Sequence, residues 1–180
     1  MSARSGIGYD SHRFGEDRRL ILGGVEVPEA ERGLTGHSDA DALTHAVIDA
    51  LLGAAGLGDI GQHFPDTDER WRDADSLALL REVCRFLSEH GCTVRHLDAT
   101  VICEAPKLGV HRDPMRARLS EAVGLAPPEV NVKFTTNEGM GFTGREEGIA
   151  ALAVATVEKE SKGAVAPSLA TTGPGRGAVG

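Results

Sequence analysis

Two short stretches of the sequence place metal-binding residue types at useful spacings. Asp10 and His12 lie two apart in an alternating stretch, residues 7–14. On a β-strand, positions i and i+2 face the same side, so this carboxylate and imidazole would project together. His45 lies among Ala and Leu in a predicted helix, where an apolar residue is expected. Together Asp10, His12 and His45 offer one oxygen and two nitrogen ligands, a set that leaves the fourth zinc position open for water or substrate.

Ordinary structural roles explain part of this pattern. An Asp-Ser-His sequence is common on protein surfaces, and Ser38, Asp39 and Asp41 suit the start of a helix as caps or acidic first-turn residues. Neither role accounts for His45. Asp41 and His45 are i and i+4 on the predicted helix, which places both side chains on one face. Asp41 could orient His45 only if the two side chains also bend toward each other.

A glycine-rich stretch near residues 133–148 forms a second candidate site. Thr135, Thr136 and Glu138 precede four glycines within ten residues, which implies special backbone angles or close approach of a ligand. Threonine hydroxyls and backbone N–H groups suit phosphate oxygens, and the Glu138 carboxylate suits Mg²⁺ or Mn²⁺. An ordinary glycine-rich turn is the alternative. The stretch is not a P-loop, because the Gly-Lys-Ser/Thr ending is missing.

Two further loops carry residues that suit binding. Residues 58–68, GDIGQHFPDTD, form a turn-rich loop in which Asp59 could accept hydrogen bonds from sugar hydroxyls. In residues 105–109, APKLG, Lys107 follows a strand end and a proline, where the backbone could closely approach a flat base. A solvated turn and a solvated lysine are the ordinary alternatives.

Alternating helices and strands would position these groups. The periodicity predicts strands over residues 7–14, 93–103 and 129–136, a Gly23-Gly24 hairpin within residues 19–27, and helices over residues 39–57, 73–90, 111–123 and 148–160. Ser38 or Asp39 is expected to cap the first helix. The alternation predicts an α/β sheet with helices packed on it. Residues 1–160 are predicted to form one domain, and the Gly-, Ala- and Pro-rich residues 161–180 a disordered tail.

Composition excludes several function classes. The chain has 180 residues and a net charge of −8, from 19 Lys and Arg against 27 Asp and Glu, so it lacks the basic character of a nucleic-acid-binding protein. Aromatic residues make up 4%, too few for base-stacking platforms. Three cysteines without a CxxC pair indicate reduced thiols. No apolar run approaches the roughly 20 residues of a membrane span, and the cytoplasm is the predicted compartment.

Four segments together resemble the family of 2-C-methyl-D-erythritol 2,4-cyclodiphosphate synthases. In chain order they are GYDSHRF, GHSDADALTHAVIDALLGAAGLGDIGQHFPDTD, EAPKL and NVKFTTNEGMGFTGREEGIA. The resemblance implies an α+β two-layer sandwich, with a four-stranded mixed sheet, helices on one face, and a homotrimer with active sites between subunits. It also implies an enzyme of the non-mevalonate route to isoprenoids. That enzyme converts 4-diphosphocytidyl-2-C-methyl-D-erythritol 2-phosphate to the 2,4-cyclodiphosphate and releases CMP.

The resemblance also implies roles for individual residues. Catalytic roles fall to the Zn²⁺ ligands Asp10, His12 and His45, to Thr136, and to Glu138, which would hold Mg²⁺ or Mn²⁺ with the substrate phosphates. The implied contacts to the methylerythritol end and the ribose are His37, Ser38, Asp59, Ile60, Gly61, Phe64, Pro65, Asp66, Thr67 and Asp68. The implied contacts to cytosine and the diphosphate are Ala105, Pro106, Lys107, Leu108, Gly109, Thr135 and Thr136. Phe142 and Arg145 would line a cavity on the threefold axis that could take isoprenoid diphosphates.

Two other functions stay open at this stage. A metal-dependent nucleotide-diphosphate hydrolase would use the same open zinc site with water as the nucleophile. A non-catalytic trimer would bind isoprenoid diphosphates in the axial cavity without turnover. The products of the reaction distinguish these alternatives from the cyclase.

Overall fold

A computed structural model describes residues 1–160 of the chain. The strands are β1 (Ser2–Gly15), β2 (Ile21–Leu22), β3 (Val25–Glu26), β4 (Gly33–Leu34), β5 (Cys92–Ile102), β6 (Val130–Thr135) and β7 (Gly148–Lys159). The helices are α1 (Ala42–Ala55), α2 (Ile60–His63), α3 (Ser76–Glu89), α4 (Arg112–Val123) and α5 (Gly141–Gly144). The predicted tail, residues 161–180, lies outside the described residues.

The main sheet is mixed and has five strands in the order β4-β1-β7-β5-β6. Only β5 and β6 pair in parallel, and the other neighbours within the main sheet are antiparallel. The predicted α/β class is confirmed, but the predicted count of four strands is wrong. The fifth strand is the two-residue β4, which pairs with the end of β1 through Phe14 and Leu34.

Residues 148–160 do not form the predicted helix, because residues 148–159 are the central strand β7. This strand bonds to β1 on one side and to β5 on the other. Its side chains alternate, with Ala151, Ala153 and Ala155 buried while Leu152 and Val154 are exposed. The alanines indicated a helix by local propensity, but propensity is weak against pairing with a neighbouring strand on both sides. Their small side chains also let α1 pack closely on the sheet.

The contact between α1 and β1 depends on two glycines. A Cβ built on Gly6 would stand 2.3 Å from the Ala50 carbonyl oxygen, and one on Gly8 would stand 1.9 Å from the Ala46 carbonyl oxygen. Since real Cβ atoms do not approach so closely, only glycine permits the helix to lie this near the strand. The contact places the N-terminal half of α1 over the side chains that follow Gly8 on β1.

The first turn of α1 is held by Asp41, not by the predicted Ser38 or Asp39. The buried Asp41 carboxylate accepts hydrogen bonds from the backbone and hydroxyl of Thr44, at 2.9 and 2.7 Å. It also accepts from the N–H groups of Gly23 and Gly24, at 2.8 and 2.7 Å. These glycines form the predicted two-residue turn, both with positive φ, between β2 and β3. Asp41 is fully engaged here, so the suggestion that it orients His45 is wrong.

The remaining elements complete one layer of helices. Helices α1, α3 and α4 cover one face of the sheet, and the core between them contains Leu43, Leu51, Leu80, Leu97, Val101, Met115 and Leu119. The predicted loop over residues 58–68 contains the single-turn helix α2. Within residues 1–160, no helix has both the length and the apolar character needed to cross a membrane.

Candidate metal centre and nucleotide site

Strand β1 and helix α1 bring three candidate metal ligands to one point. Asp10 and His12 lie on the β1 face that α1 covers, and His45 lies in the second turn of α1. Asp10 Oδ2 is 2.9 Å from His12 Nε2 and 3.0 Å from His45 Nδ1. The two imidazole nitrogens are 3.2 Å apart. The predicted juxtaposition of these three residues is therefore present.

The outer nitrogen of each ring is engaged away from this point. His12 Nδ1 donates a hydrogen bond to the Thr35 carbonyl oxygen at 2.8 Å, which leaves Nε2 directed inward. His45 Nε2 lies 2.8 Å from Ser76 Oγ and 3.2 Å from Ser38 Oγ, while its Nδ1 faces Asp10. Such outer contacts fix ring orientation in metal-binding histidines.

The geometry and chemistry of this cluster fit a metal ion. Within residues 1–160, this is the one group of three or more His, Cys, Asp or Glu side chains placed closely enough to hold a metal ion. Tetrahedral zinc with bonds of about 2.0–2.2 Å has ligand atoms about 3.3–3.6 Å apart, a few tenths of an ångström more than the 2.9–3.2 Å observed here. The lone pairs of one carboxylate oxygen and two imidazole nitrogens repel each other at these distances. A cation bound between the three atoms would offset that repulsion.

The pKa shifts of the cluster also indicate an affinity for positive charge. Burial raises the pKa of Asp10, but its hydrogen bonds with His12 and His45 outweigh burial and bring that pKa well below its ordinary value. Burial lowers the pKa of His12, but the hydrogen bond to Asp10 raises it above the ordinary value. The site therefore favours an ionised carboxylate beside bound positive charge.

A cavity of about 480 Å³ opens beside the cluster. Predicted site residues that line it are Asp10, His12, His37, Ser38, His45, Ile60, Gly61, Phe64 and Asp66. Pro65, Thr67, Asp59 and Asp68 are not among its lining residues. The Asp59 side chain caps α2 through the Gln62 N–H at 3.0 Å, and the Asp68 carboxylate pairs with Arg70 at 2.5 Å.

The sequence prediction missed several residues around this cavity. Asp49, Trp71 and Leu79 also line it. The Asp49 carboxylate accepts a hydrogen bond from the Ile60 N–H at 2.8 Å and so ties the start of α2 to α1. Burial raises the pKa of Asp49. Its i+4 spacing from His45 was an available signal, because both side chains must then share one helix face. Ser76 carried no comparable signal.

A second cavity, of about 370 Å³, lies at the ends of β5 and β6. Predicted site residues that line it are Pro106, Lys107, Leu108, Gly109, Thr135 and Thr136, and it also contains Cys103, Arg112 and Phe134. Ala105 lines an adjoining cavity of about 270 Å³ with Pro106 and Arg32. Residues 106–109 and the two threonines therefore line one cavity.

Glu138 lies on the turn that follows Thr136. The Thr136 hydroxyl donates to Glu138 Oε1 at 2.7 Å, and Glu138 has a positive φ of 52°. The Glu104 carboxylate accepts the Asn137 N–H at 2.7 Å and holds the turn in place. Glu138 is exposed and belongs to no group of three or more His, Cys, Asp or Glu side chains within residues 1–160, so a cation there would need oxygens from a bound phosphate.

The two cavities are separated across the sheet. Asp10 pairs with Ala151 on β7, Ala151 with Val101 on β5, and Val101 with Phe134 on β6. Three strand spacings amount to about 14 Å. The cluster of Asp10, His12 and His45 and the two threonines therefore lie at the same end of the sheet, but not at one point within a single chain.

The opposite face of the sheet exposes apolar side chains. Ile7 pairs with Val154 and Tyr9 with Leu152, and these four residues are 70, 44, 50 and 38% exposed. Phe142 is 37% exposed on α5, where Arg145, just after the helix, pairs with Glu147 at 2.7 Å.

Known proteins resemble this chain in both sequence and structure. The 2-C-methyl-D-erythritol 2,4-cyclodiphosphate synthase of Salinibacter ruber is 57% identical over 155 residues, which cover 86% of this chain and 98% of that protein. The bifunctional enzyme IspD/IspF of Anaeromyxobacter dehalogenans is 58% identical over 151 residues, and the chain spans 39% of its length.

A solved structure and a family model agree with these relatives. A structure of 2C-methyl-D-erythritol-2,4-cyclodiphosphate synthase in a CDP-bound form matches with a TM-score of 0.79 and 40% identity, over 86% of this chain and 100% of that one. The model of the YgbB family matches residues 3–158. With the relatives above, this match establishes that the chain belongs to the YgbB family.

Proposed function

We propose that this protein is a cyclising lyase of the non-mevalonate isoprenoid pathway. It converts 4-diphosphocytidyl-2-C-methyl-D-erythritol 2-phosphate to 2-C-methyl-D-erythritol 2,4-cyclodiphosphate and CMP. The observation that carries the proposal is the convergence of Asp10, His12 and His45 beside a cavity of about 480 Å³, in a chain whose full-length relatives bear the synthase name. The structural neighbour in its CDP-bound form supports a cytidine nucleotide as the substrate class.

The reaction is a ring closure between two phosphate groups. An oxygen of the 2-phosphate attacks the β-phosphorus, the bond from that phosphorus to the CMP oxygen breaks, and CMP leaves. The attacking oxygen is already ionised, so no general base is required. At 4 Å and an effective dielectric of about 20, each pair of unit charges repels by about 4 kcal/mol, and the site must offset this repulsion.

Asp10, His12 and His45 would hold Zn²⁺, and Glu138 would hold Mg²⁺ or Mn²⁺ together with substrate oxygens. These ions, when bound, supply Lewis-acid polarisation and charge neutralisation at the phosphates. The chain itself positions the substrate. The methylerythritol 2-phosphate would be held by His37, Ser38 and residues 64–68. These contacts would place its attacking oxygen nearly in line with the bond to the leaving CMP.

The remaining proposed contacts lie at the second cavity. The backbone of residues 105–109 would hold cytosine, with Lys107 and Leu108 beside it. The hydroxyls of Thr135 and Thr136 would donate to diphosphate oxygens, as phosphoryl-transfer sites use donors placed where charge develops. Asp59 and Gly61 would contact the erythritol and ribose hydroxyls. All of these contacts belong to one domain, residues 1–160.

We also propose a homotrimer with active sites between subunits. A diphosphate cannot touch both the metal-binding cluster and Thr136 of one chain across about 14 Å of sheet. A neighbouring subunit that presents its second cavity to this cluster completes the site. The apolar pairs Ile7–Val154 and Tyr9–Leu152 are the surface that such neighbours would cover. Phe142 and Arg145 would line an axial cavity able to take an isoprenoid diphosphate.

The test is ³¹P NMR of the purified protein with the 2-phosphate substrate, Zn²⁺ and Mg²⁺. We expect a coupled cyclic diphosphate pair to appear together with CMP. Linear phosphates alone would instead show the hydrolase, in which water is the nucleophile. Unchanged substrate with both metals bound would contradict catalysis and favour a binding protein.

A further inference from the structure

The outer nitrogen of His45 meets a buried serine whose hydroxyl is itself committed. Ser76, the first residue of α3, is fully buried, and its Oγ lies 2.8 Å from His45 Nε2. The same hydroxyl donates to Asp39 Oδ1. Asp39 Oδ2 accepts the Ser76 backbone N–H at 2.9 Å, so one carboxylate holds this serine by two bonds.

The direction of these hydrogen bonds follows from proton counting. An ionised carboxylate only accepts hydrogen bonds, and a serine hydroxyl has one proton to donate. Because Ser76 gives that proton to Asp39, its oxygen can only accept from His45. The Nε2 of His45 must then carry a proton, and in the neutral ring Nδ1 must present its lone pair toward Asp10.

The other histidine of the cluster is controlled in a comparable way. His12 Nδ1 lies 2.8 Å from the Thr35 carbonyl oxygen, which cannot donate, so in the neutral ring the lone pair is on Nε2. For His45 the group that can only accept is the Asp39 carboxylate, which does not contact the ring. The Ser76 hydroxyl lies between them, and because it donates to Asp39 it can only accept from His45. Ser38 Oγ, at 3.2 Å from Nε2, is a second and more distant acceptor for the same N–H.

We propose that Asp39, acting through the Ser76 hydroxyl, holds His45 in the tautomer whose Nδ1 is free to bind the metal. Asp39 and Ser76 are thus positioning residues of the metal centre, although neither touches the metal or the substrate. The inference rests on the proposed metal binding by Asp10, His12 and His45. It also explains why Asp39 contacts the residues at the start of α3. The Asp39 N–H donates a further hydrogen bond there, to the Ala74 carbonyl at 3.2 Å.

The test measures the affinity of the metal-free full-length protein for Zn²⁺ by competition with a chromogenic chelator. Ser76→Ala removes the acceptor, and Asp39→Asn replaces an acceptor oxygen with a donating amide nitrogen. We expect each to weaken Zn²⁺ binding by about 10–100-fold, the usual effect of losing a group that orients a metal ligand. Ser76→Thr keeps the hydroxyl and should bind Zn²⁺ more tightly than Ser76→Ala does.

A matched control separates this role from helix stability. Asp75→Ala removes the N-cap bond that the Asp75 carboxylate accepts from the Leu77 N–H at 2.9 Å, next to Ser76 but without contact to His45. It should lower thermal stability and leave Zn²⁺ affinity unchanged. Wild-type affinity in both Ser76→Ala and Asp39→Asn would overturn the inference. Failure of the wild-type protein to bind Zn²⁺ would instead overturn the metal centre itself, and the inference with it.

Discussion

The backbone of Gly8 lies directly beneath that of Ala46, since a Cβ on Gly8 would stand 1.9 Å from the Ala46 carbonyl oxygen. This contact sits one residue from His45 on α1 and two residues from Asp10 on β1. The closeness of helix and strand is therefore what lets a helix side chain reach a strand carboxylate at 3.0 Å.

Gly8→Ala should destabilise the protein and separate the metal ligands. The added methyl group meets backbone on a buried helix, so we expect a loss of about 3 kcal/mol or more in the free energy of unfolding. Urea denaturation measures this loss. Gly53→Ala is the control, because its Cβ would have only ordinary contact at 3.8 Å and should stabilise α1 by about 0.5–1 kcal/mol. Equal unfolding midpoints for the two variants would contradict the packing argument.

His45→Ala should abolish turnover and metal binding while the fold is kept. It removes one of three ligands, so activity should fall by more than the roughly 100-fold expected for an orienting group alone. Zinc content per chain and the CMP release rate are the measurements. His90→Ala, at the far end of α3, is the matched histidine control. Full activity of His45→Ala in zinc-free buffer would refute the assignment.

Mixing two inactive variants should restore activity if neighbouring subunits share each site. His45→Ala damages the metal-binding cluster, and Glu138→Ala damages the turn beside the second cavity. Co-expression with two tags, followed by purification on both, yields only mixed trimers. In any such ring one site of three has both halves intact, so about one third of wild-type activity is expected. No recovery in trimers carrying both tags would place each site within one chain.

Asp41→Ala should lower the free energy of unfolding, although Asp41 is not one of the proposed metal-binding or substrate-binding residues. It removes the N-cap of α1 and leaves the buried N–H group of Gly23 and the half-buried N–H group of Gly24 without an acceptor. Together these losses should lower the free energy of unfolding by about 2–4 kcal/mol. Asp75→Ala, which loses a single cap bond on α3, should cost about 1 kcal/mol. A smaller loss of unfolding free energy for Asp41→Ala than for Asp75→Ala would contradict the stabilising role of the Asp41 hydrogen bonds.

Alkylation of Cys103 should keep accelerating at high pH. Burial raises the pKa of Cys103 to about 11, so only about one thiol in a thousand is ionised at pH 8. Because the thiolate is the reactive form, the rate should rise about tenfold per pH unit from pH 7 to 10. Peptide mass spectrometry of iodoacetamide-treated native protein measures it, with Cys103→Ser as the control. A rate that levels off by pH 10 would indicate an ordinary thiol pKa.

The sequence was enough to select the three candidate metal ligands that the fold brings together. Alternation on β1 predicted that Asp10 and His12 share a face, and an imidazole in an apolar helix marked His45. These are local signals, because the period of a strand or helix determines which side chains point together. The Gly23-Gly24 turn was predictable for another local reason, because glycine adopts the positive φ that a two-residue turn requires.

Other features depended on partners far away in the sequence. Residues 148–159 form a strand because β1 and β5 lie on both sides of them, and an alanine-rich segment contains no local sign of those neighbours. Asp41 bonds to a turn 17 residues earlier, and Ser76 reaches His45 across 31 residues. Local pattern limits which groups a side chain can present. Only the packing of distant segments decides which partner each group meets, because that choice depends on the free energy of the whole fold.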